Sequence, residues 1–129
     1  MIVPVDPKIL SILKLYERDK KIPLPYSKEI FLLECNIAGT SFLDLEEIEP
    51  GLKKGDLLIF KREIDNPVDE LAILILNEKG LKLGYVPRVK NEVLARLMDA
   101  GKLIFGKLED KSRVEEWLKL DIRVFLKDL

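Results

Sequence analysis

The chain has 129 residues, of which 47% are hydrophobic and 35% charged, a composition that excludes an intrinsically disordered chain and suits one domain able to bury its own core. Its 22 basic residues face 23 acidic ones for a net charge of −1, without the basic excess by which a non-specific nucleic-acid binder neutralises phosphates. One cysteine and no histidine exclude an internal disulfide, a Cys-His zinc site and a Cys-His nucleophile, and Cys35 reads as core; no metal or other cofactor is expected.

No apolar run approaches the roughly 18 residues of a spanning helix, so no membrane association is expected. The opening Met1-Ile2-Val3-Pro4-Val5-Asp6 lacks the basic region and cleavage site of a signal peptide, and a soluble, cytoplasmic protein is the expectation.

Asp6-Pro7 can cap and open a helix. Ile9, Leu10, Ile12, Leu13 and Tyr16 then recur at three- and four-residue spacings, which predicts a short amphipathic helix over residues 6–19. Its apolar face must cover something: its own domain, a protein partner or a second copy in a homodimer. Pro23 and Pro25 make residues 20–29 an extended connector, so residues 1–28 form an appendage to a barrel domain over 29–129.

The first strand is expected over 29–38, buried on both faces because its apolar character is nearly continuous. Asp44 to Glu49 reads as a solvated acidic connection, and Pro50 to Asp56 as a turn feeding a second strand over 57–63. A third strand over 71–77, the tight loop Asn77-Glu78-Lys79-Gly80 and an alternating fourth strand over 81–86 follow. Gly84 leaves a gap on one face of that fourth strand, where a ligand or another backbone can approach. Pro87 opens a helix running to about residue 100, with Val89, Val93, Leu94, Leu97 and Met98 as its buried stripe and Gly101 as its stop. Leu103 to Leu108 is a fifth strand, Arg113 to Leu118 a short helical turn that buries Trp117, and Asp121 to Leu126 the last strand. The fold class is therefore mainly β with two or three helices, a small antiparallel barrel of the oligonucleotide-binding type with a helix inserted between strands four and five.

The second and third strands flank Arg62-Glu63-Ile64-Asp65-Asn66-Pro67-Val68-Asp69-Glu70-Leu71, a polar turn stiffened by Pro67. Two readings of its acceptors stand side by side. Asp65, Asn66 and Asp69 can satisfy the turn's own backbone donors, or they can face a ligand from a rigid rim. A third use, Asp65, Asp69 and Glu70 around magnesium in a nuclease, lacks any accompanying base or second metal site, and a non-enzymatic chain is expected. No phosphate-binding ATPase loop is present.

Three motifs in order carry a resemblance to a known family: Ala38-Gly39 after the first strand, Arg62 to Asp69 followed by Ala72-Ile73, and Leu83-Gly84-Tyr85-Val86-Pro87-Arg88 leading into the helix. From Glu34 to about Glu109 the sequence resembles a HIRAN domain, found in certain SNF2-type DNA translocases and as free-standing prokaryotic proteins. The resemblance implies an oligonucleotide-binding-type barrel that captures single-stranded DNA at its 3′-hydroxyl end, in repair or replication. It implies that Asn66 and Asp69 meet the terminal ribose, that Phe42 stacks on a base, and that Tyr85 and Arg88 line the same groove, with Ser41 and Arg62 among the nucleic-acid contacts. The chain departs from the pattern where Thr40-Ser41-Phe42-Leu43 follows the glycine in place of arginine and tyrosine, and where Val68 replaces a usual tyrosine. Two such losses, at roughly 1–3 kcal/mol each for a stacked base, weaken DNA binding, so a protein-interaction module on the same fold is the alternative.

Overall fold

The computed structural model describes residues 28–128, and the expected N-terminal helix lies outside them. Six antiparallel strands form one sheet: β1 (Lys28–Asn36), β2 (Leu57–Arg62), β3 (Ile73–Leu76), β4 (Lys82–Tyr85), β5 (Leu103–Val114) and β6 (Trp117–Asp128), with α1 (Arg88–Asp99) between β4 and β5. Their order is β1-β6-β5-β2-β3-β4. The sheet curls until its two edges meet at a single bridge, where Ala38 and Tyr85 exchange backbone hydrogen bonds of 2.7 and 2.9 Å. The fold is thus the expected mainly β barrel-like sheet with a helix inserted after the fourth strand. The described residues hold one α-helix and two single turns of 3₁₀-helix, Thr40–Phe42 and Glu49–Gly51.

Alternation decides which side chains fill the barrel. Leu58 and Phe60 of β2, Ile104 and Leu108 of β5, and Leu120, Ile122 and Val124 of β6 point inward and are buried with Ile37, Ile73, Ile75, Leu83 and Leu94. Gly84 is where the curl closes. Its φ is 147°, and the backbone that approaches its missing Cβ is Ala38, so the gap in the fourth strand receives the chain's own backbone.

Three sequence expectations are corrected. Among the described residues the first strand is not buried on both faces: β1 lies at the edge of the sheet with β6 as its one neighbour, and Ile30, Phe31 and Glu34 are exposed. The short helix expected at Arg113 to Leu118 is instead the tip of a hairpin of two twelve-residue strands in which Lys111 pairs with Leu120, Ser112 with Lys119 and Val114 with Trp117. A two-residue turn reverses the chain there with Glu115 at φ 58°, and Trp117 stays partly exposed. Finally, the buried stripe of α1 is Asn91, Leu94 and Ala95, flanked by Leu97 and Met98, while Val89 is 90% exposed and Val93 also faces outward. The helix is turned so that a polar residue, Asn91, enters the protein beneath the loop after β2.

Candidate nucleic-acid interface

The loop from Glu63 to Leu71 is a frame of interlocking hydrogen bonds. Asn66 Oδ1 accepts from the Val68 and Asp69 amides at 2.9 and 3.0 Å, the Asx geometry that Asn-Pro favours. Asn66 Nδ2 donates to Glu63 Oε1 at 3.0 Å, and the Tyr85 hydroxyl donates to the same oxygen at 2.8 Å. These two donors hold the Glu63 carboxyl below its usual range, the Asn66 contact contributing most, and the hydrogen bond to Glu63 raises the Tyr85 hydroxyl.

Asp69 is fixed from three sides. Its Oδ1 accepts the Leu71 amide at 2.9 Å, its Oδ2 accepts Asn91 Nδ2 at 2.8 Å, and Arg88 Nε lies 3.8 Å away. The Leu71 amide foremost, then Asn91 and Arg88, depress its pKa and keep it a carboxylate at neutral pH. Arg88 also donates to the Val68 carbonyl at 3.0 Å, which ties the start of α1 to the loop.

These groups surround an open groove of about 500 Å³ whose lining is mostly apolar: Ala38, Gly39, Phe42, Val68, Ala72, Tyr85 and Val86, with Asn66, Asp69 and Arg88 as its polar members. Phe42 stands on the 3₁₀ turn after Gly39 and is 90% exposed, so its ring is free of any packing duty. Gly39 itself sits at φ 81°, a conformation a side chain strains, and so permits the turn that presents Phe42. Among the described residues, one amide hydrogen of Asn66 and lone pairs of the Asp69 carboxylate are left uncommitted.

Phe42, Asn66, Asp69, Tyr85 and Arg88 therefore meet at one groove. Ser41 and Arg62 do not join them. Ser41 lines a separate depression beside Asp44, Arg113 and Trp117. Arg62 is a clamp: its guanidinium donates to the Ala72 and Glu70 carbonyls at 2.7 and 2.9 Å and to Asp99 of α1 at 2.9 Å. Glu63 and Asn91 are members of the site that the sequence does not single out. Asn91 had a signal, a polar residue three positions before Leu94 on an otherwise apolar stripe, whereas Glu63 had none beyond its place in the motif. Among the described residues no three acidic or thiol side chains come within metal-binding reach of one another, and Asp65 and Glu70 do not join Asp69 as a cation site. No helix among them is long and apolar enough to cross a membrane.

A curled antiparallel sheet closed at one bridge, with a braced polar loop and an exposed aromatic ring over a groove at the seam, defines a small β-barrel domain. Residues 30–127 match the family model of the HIRAN domain, and the chain belongs to that family. A crystal structure of a protein from Lactobacillus plantarum is similar over 80% of this chain and 99% of that one, with a TM-score of 0.73 at 23% identity. The crystal structure of the HIRAN domain of human HLTF matches with a TM-score of 0.62 at 18% identity, covering 78% of each chain. The NMR structure of the HLTF HIRAN domain in its DNA-bound conformation gives 0.55 at 17% identity, covering 78% of this chain and 79% of that one. No curated protein matches the sequence.

Proposed function

We propose that this chain is a DNA-binding module that captures single-stranded DNA at a free 3′-hydroxyl end, in the groove between Phe42 and the Asn66–Asp69 loop. The observation that carries the reading is the convergence of Phe42, Asn66, Asp69, Tyr85 and Arg88 on that groove, held by a hydrogen-bonded frame that needs no rearrangement to receive a ligand. DNA is the ligand class because the HLTF HIRAN domain, which shares the fold, has a DNA-bound conformation. Phe42 stacks on a base without reading its sequence. Asp69 accepts a hydrogen bond from the terminal hydroxyl, and as a carboxylate it repels a terminal phosphate. The second amide hydrogen of Asn66 reaches the same ribose, and Arg88 at the rim meets a phosphate. A ligand of this kind belongs to the repair or replication of DNA ends, and no catalytic step is assigned to the chain.

The test is fluorescence anisotropy of a short labelled single strand across a salt series. One or two phosphate contacts give a slope of log affinity on log salt of about −0.7 to −1.4. Phe42→Ala weakens binding by roughly tenfold, the loss of about 1–3 kcal/mol of stacking, and Ser41→Ala, outside the groove, leaves it unchanged. A slope steeper than about −3, with Phe42→Ala indistinguishable from the native chain, contradicts end capture and indicates unspecific charge.

A second reading keeps the fold and gives the groove a protein partner. It is favoured by Val68, an exposed aliphatic side chain at the groove rim where the family usually has tyrosine. Absence of any oligonucleotide binding at low salt selects it.

A further inference from the structure

The outer face of the sheet carries an apolar row that the groove does not use. Register places Phe31 of β1 beside Phe125 of β6, Phe125 beside Phe105 of β5, Phe105 beside Ile59 of β2, and Ile59 beside Leu76 of β3. The rings touch: Phe105 stacks on Phe125 at 5.5 Å between centroids, and Phe31 meets Phe125 edge-on at 5.9 Å. Phe31 is 49% exposed, Leu103 51%, and Leu57 and Ile59 40% each. Scattered apolar side chains on a surface need no explanation, but a contiguous row across several strands marks something that covers it.

Charge argues against a nucleic-acid strand as the cover. The cations that lie over the rings, Lys107 on Phe125 and Arg123 on Phe31, are already paired, Lys107 with Glu29 at 2.8 Å and Arg123 with Glu34 at 3.0 Å and Glu109 at 3.8 Å. A phosphate chain would displace those carboxylates or lie against them.

Position argues for the chain's own N-terminal segment. A cavity of about 390 Å³ on this face is lined by Leu57, Ile59, Leu103, Phe105, Lys127 and Glu29, and Glu29 is the second described residue. β1 therefore begins at the edge of the apolar row. Residues 6–19 repeat apolar side chains at helical spacing, with Lys8, Lys14, Glu17 and Arg18 on the opposite side. A helix of that length is about 21 Å long, enough to cross the β1-β6-β5-β2 span of about 14 Å at 4.8 Å per strand. The connector from 20 to 27, made extended by Pro23 and Pro25, reaches at most about 28 Å, which allows the segment to fold back over the row.

We propose that residues 6–19 dock as an amphipathic helix across the outer face of their own sheet, laying Ile9, Ile12, Leu13 and Tyr16 on the Phe31–Phe125–Phe105 row. The groove at the barrel seam then stays open while the opposite, apolar face is sealed.

The test is paramagnetic relaxation in the full chain with Cys35→Ala and a spin label on Lys14→Cys, a site on the polar side of the segment. The amide signals of Ile59, Phe105, Lys107 and Phe125 lose most of their intensity. Adding Leu13→Asp, a substitution in the centre of the docking stripe that leaves the barrel's own sequence intact, restores them. A mixture of ¹⁵N-labelled chain without the spin label and unlabelled spin-labelled chain shows no loss. Full intensity at those amides in the spin-labelled chain overturns the proposal, as does a loss that appears in the mixture, which gives the face to a second copy. Displacement of the Phe105 and Phe125 signals by an added oligonucleotide overturns it too, in favour of a nucleic-acid surface.

Discussion

Adding one methyl group at Gly84 strikes the seam on which both fold and groove depend. A Cβ there would lie 2.5 Å from Ile37 Cγ2 and closer still to the Ala38 carbonyl oxygen, and the glycine's φ of 147° is one that side chains avoid. The Ala38 oxygen cannot withdraw without giving up the Tyr85 amide, 2.9 Å away, and with it the bridge that joins the sheet's edges. Strain at such a φ costs about 1–3 kcal/mol and overpacking a filled site about the same, so Gly84→Ala removes roughly 2–6 kcal/mol of a typical 5–15. At about 4 °C per kcal/mol for a domain of this size, Tm falls by roughly 8–24 °C in thermal unfolding followed by circular dichroism. Gly51→Ala, which meets open space at an ordinary φ, is the control and stays within about 0.5 kcal/mol of native. A Tm for Gly84→Ala within about 3 °C of the native value refutes the close-approach account of the seam.

Arg62→Lys lowers stability by about 1–3 kcal/mol in urea unfolding, because an ammonium cannot span the Ala72 and Glu70 carbonyls and Asp99 together; an unchanged midpoint contradicts its role as the loop clamp. The Glu63 carboxyl is held below its ordinary 4.5, so the stability it contributes is complete above that value and lost as pH falls through its lower folded value. NMR titration of its side chain therefore gives a midpoint below 4.5, which Tyr85→Phe moves upward; a midpoint at or above 4.5 in the native protein rules out the network. Burial pushes the Cys35 thiol up to about 11 from 9.0, so at pH 8 its alkylation by iodoacetamide is about a hundredfold slower than that of an unburied cysteine, and equal rates would show an accessible thiol.

What the sequence made legible was what local chemistry determines. The loop Asn77–Gly80 shows the side-chain-capped turn its residues call for, with Asn77 Oδ1 accepting from the Lys79 and Leu81 amides and Gly80 at φ 83°. Strands β2 to β4 follow their apolar runs, and Gly101, at φ 88°, ends the inserted helix. The long hairpin tip stayed hidden because Glu109 to Arg113 is polar and the Glu115–Glu116 turn carries no glycine or asparagine; its strands are held by register with residues about ten positions on. The buried stripe of α1 differs from the one hydropathy predicts because Val89 and Val93 look like core to such a pattern, whereas the buried position is decided by Asn91 reaching Asp69, a long-range polar contact that no periodicity reports. Arg62 is the same lesson at the site: its partner Asp99 lies on another element, 37 residues away. Both readings of the central loop are visible at once, since Asn66 and Asp69 brace the turn and still face the groove.

The most direct test compares the affinity of the native chain for one oligonucleotide ending in a 3′-hydroxyl and for the same strand ending in a 3′-phosphate, then repeats the comparison with Asp69→Asn. The carboxylate at Asp69 predicts that the hydroxyl end binds at least about tenfold tighter, a difference of about 1.4 kcal/mol, and that Asp69→Asn brings the two ends together chiefly by improving the phosphate. Equal affinity of the native chain for both ends, unmoved by the substitution, contradicts the capture of a DNA end in this groove.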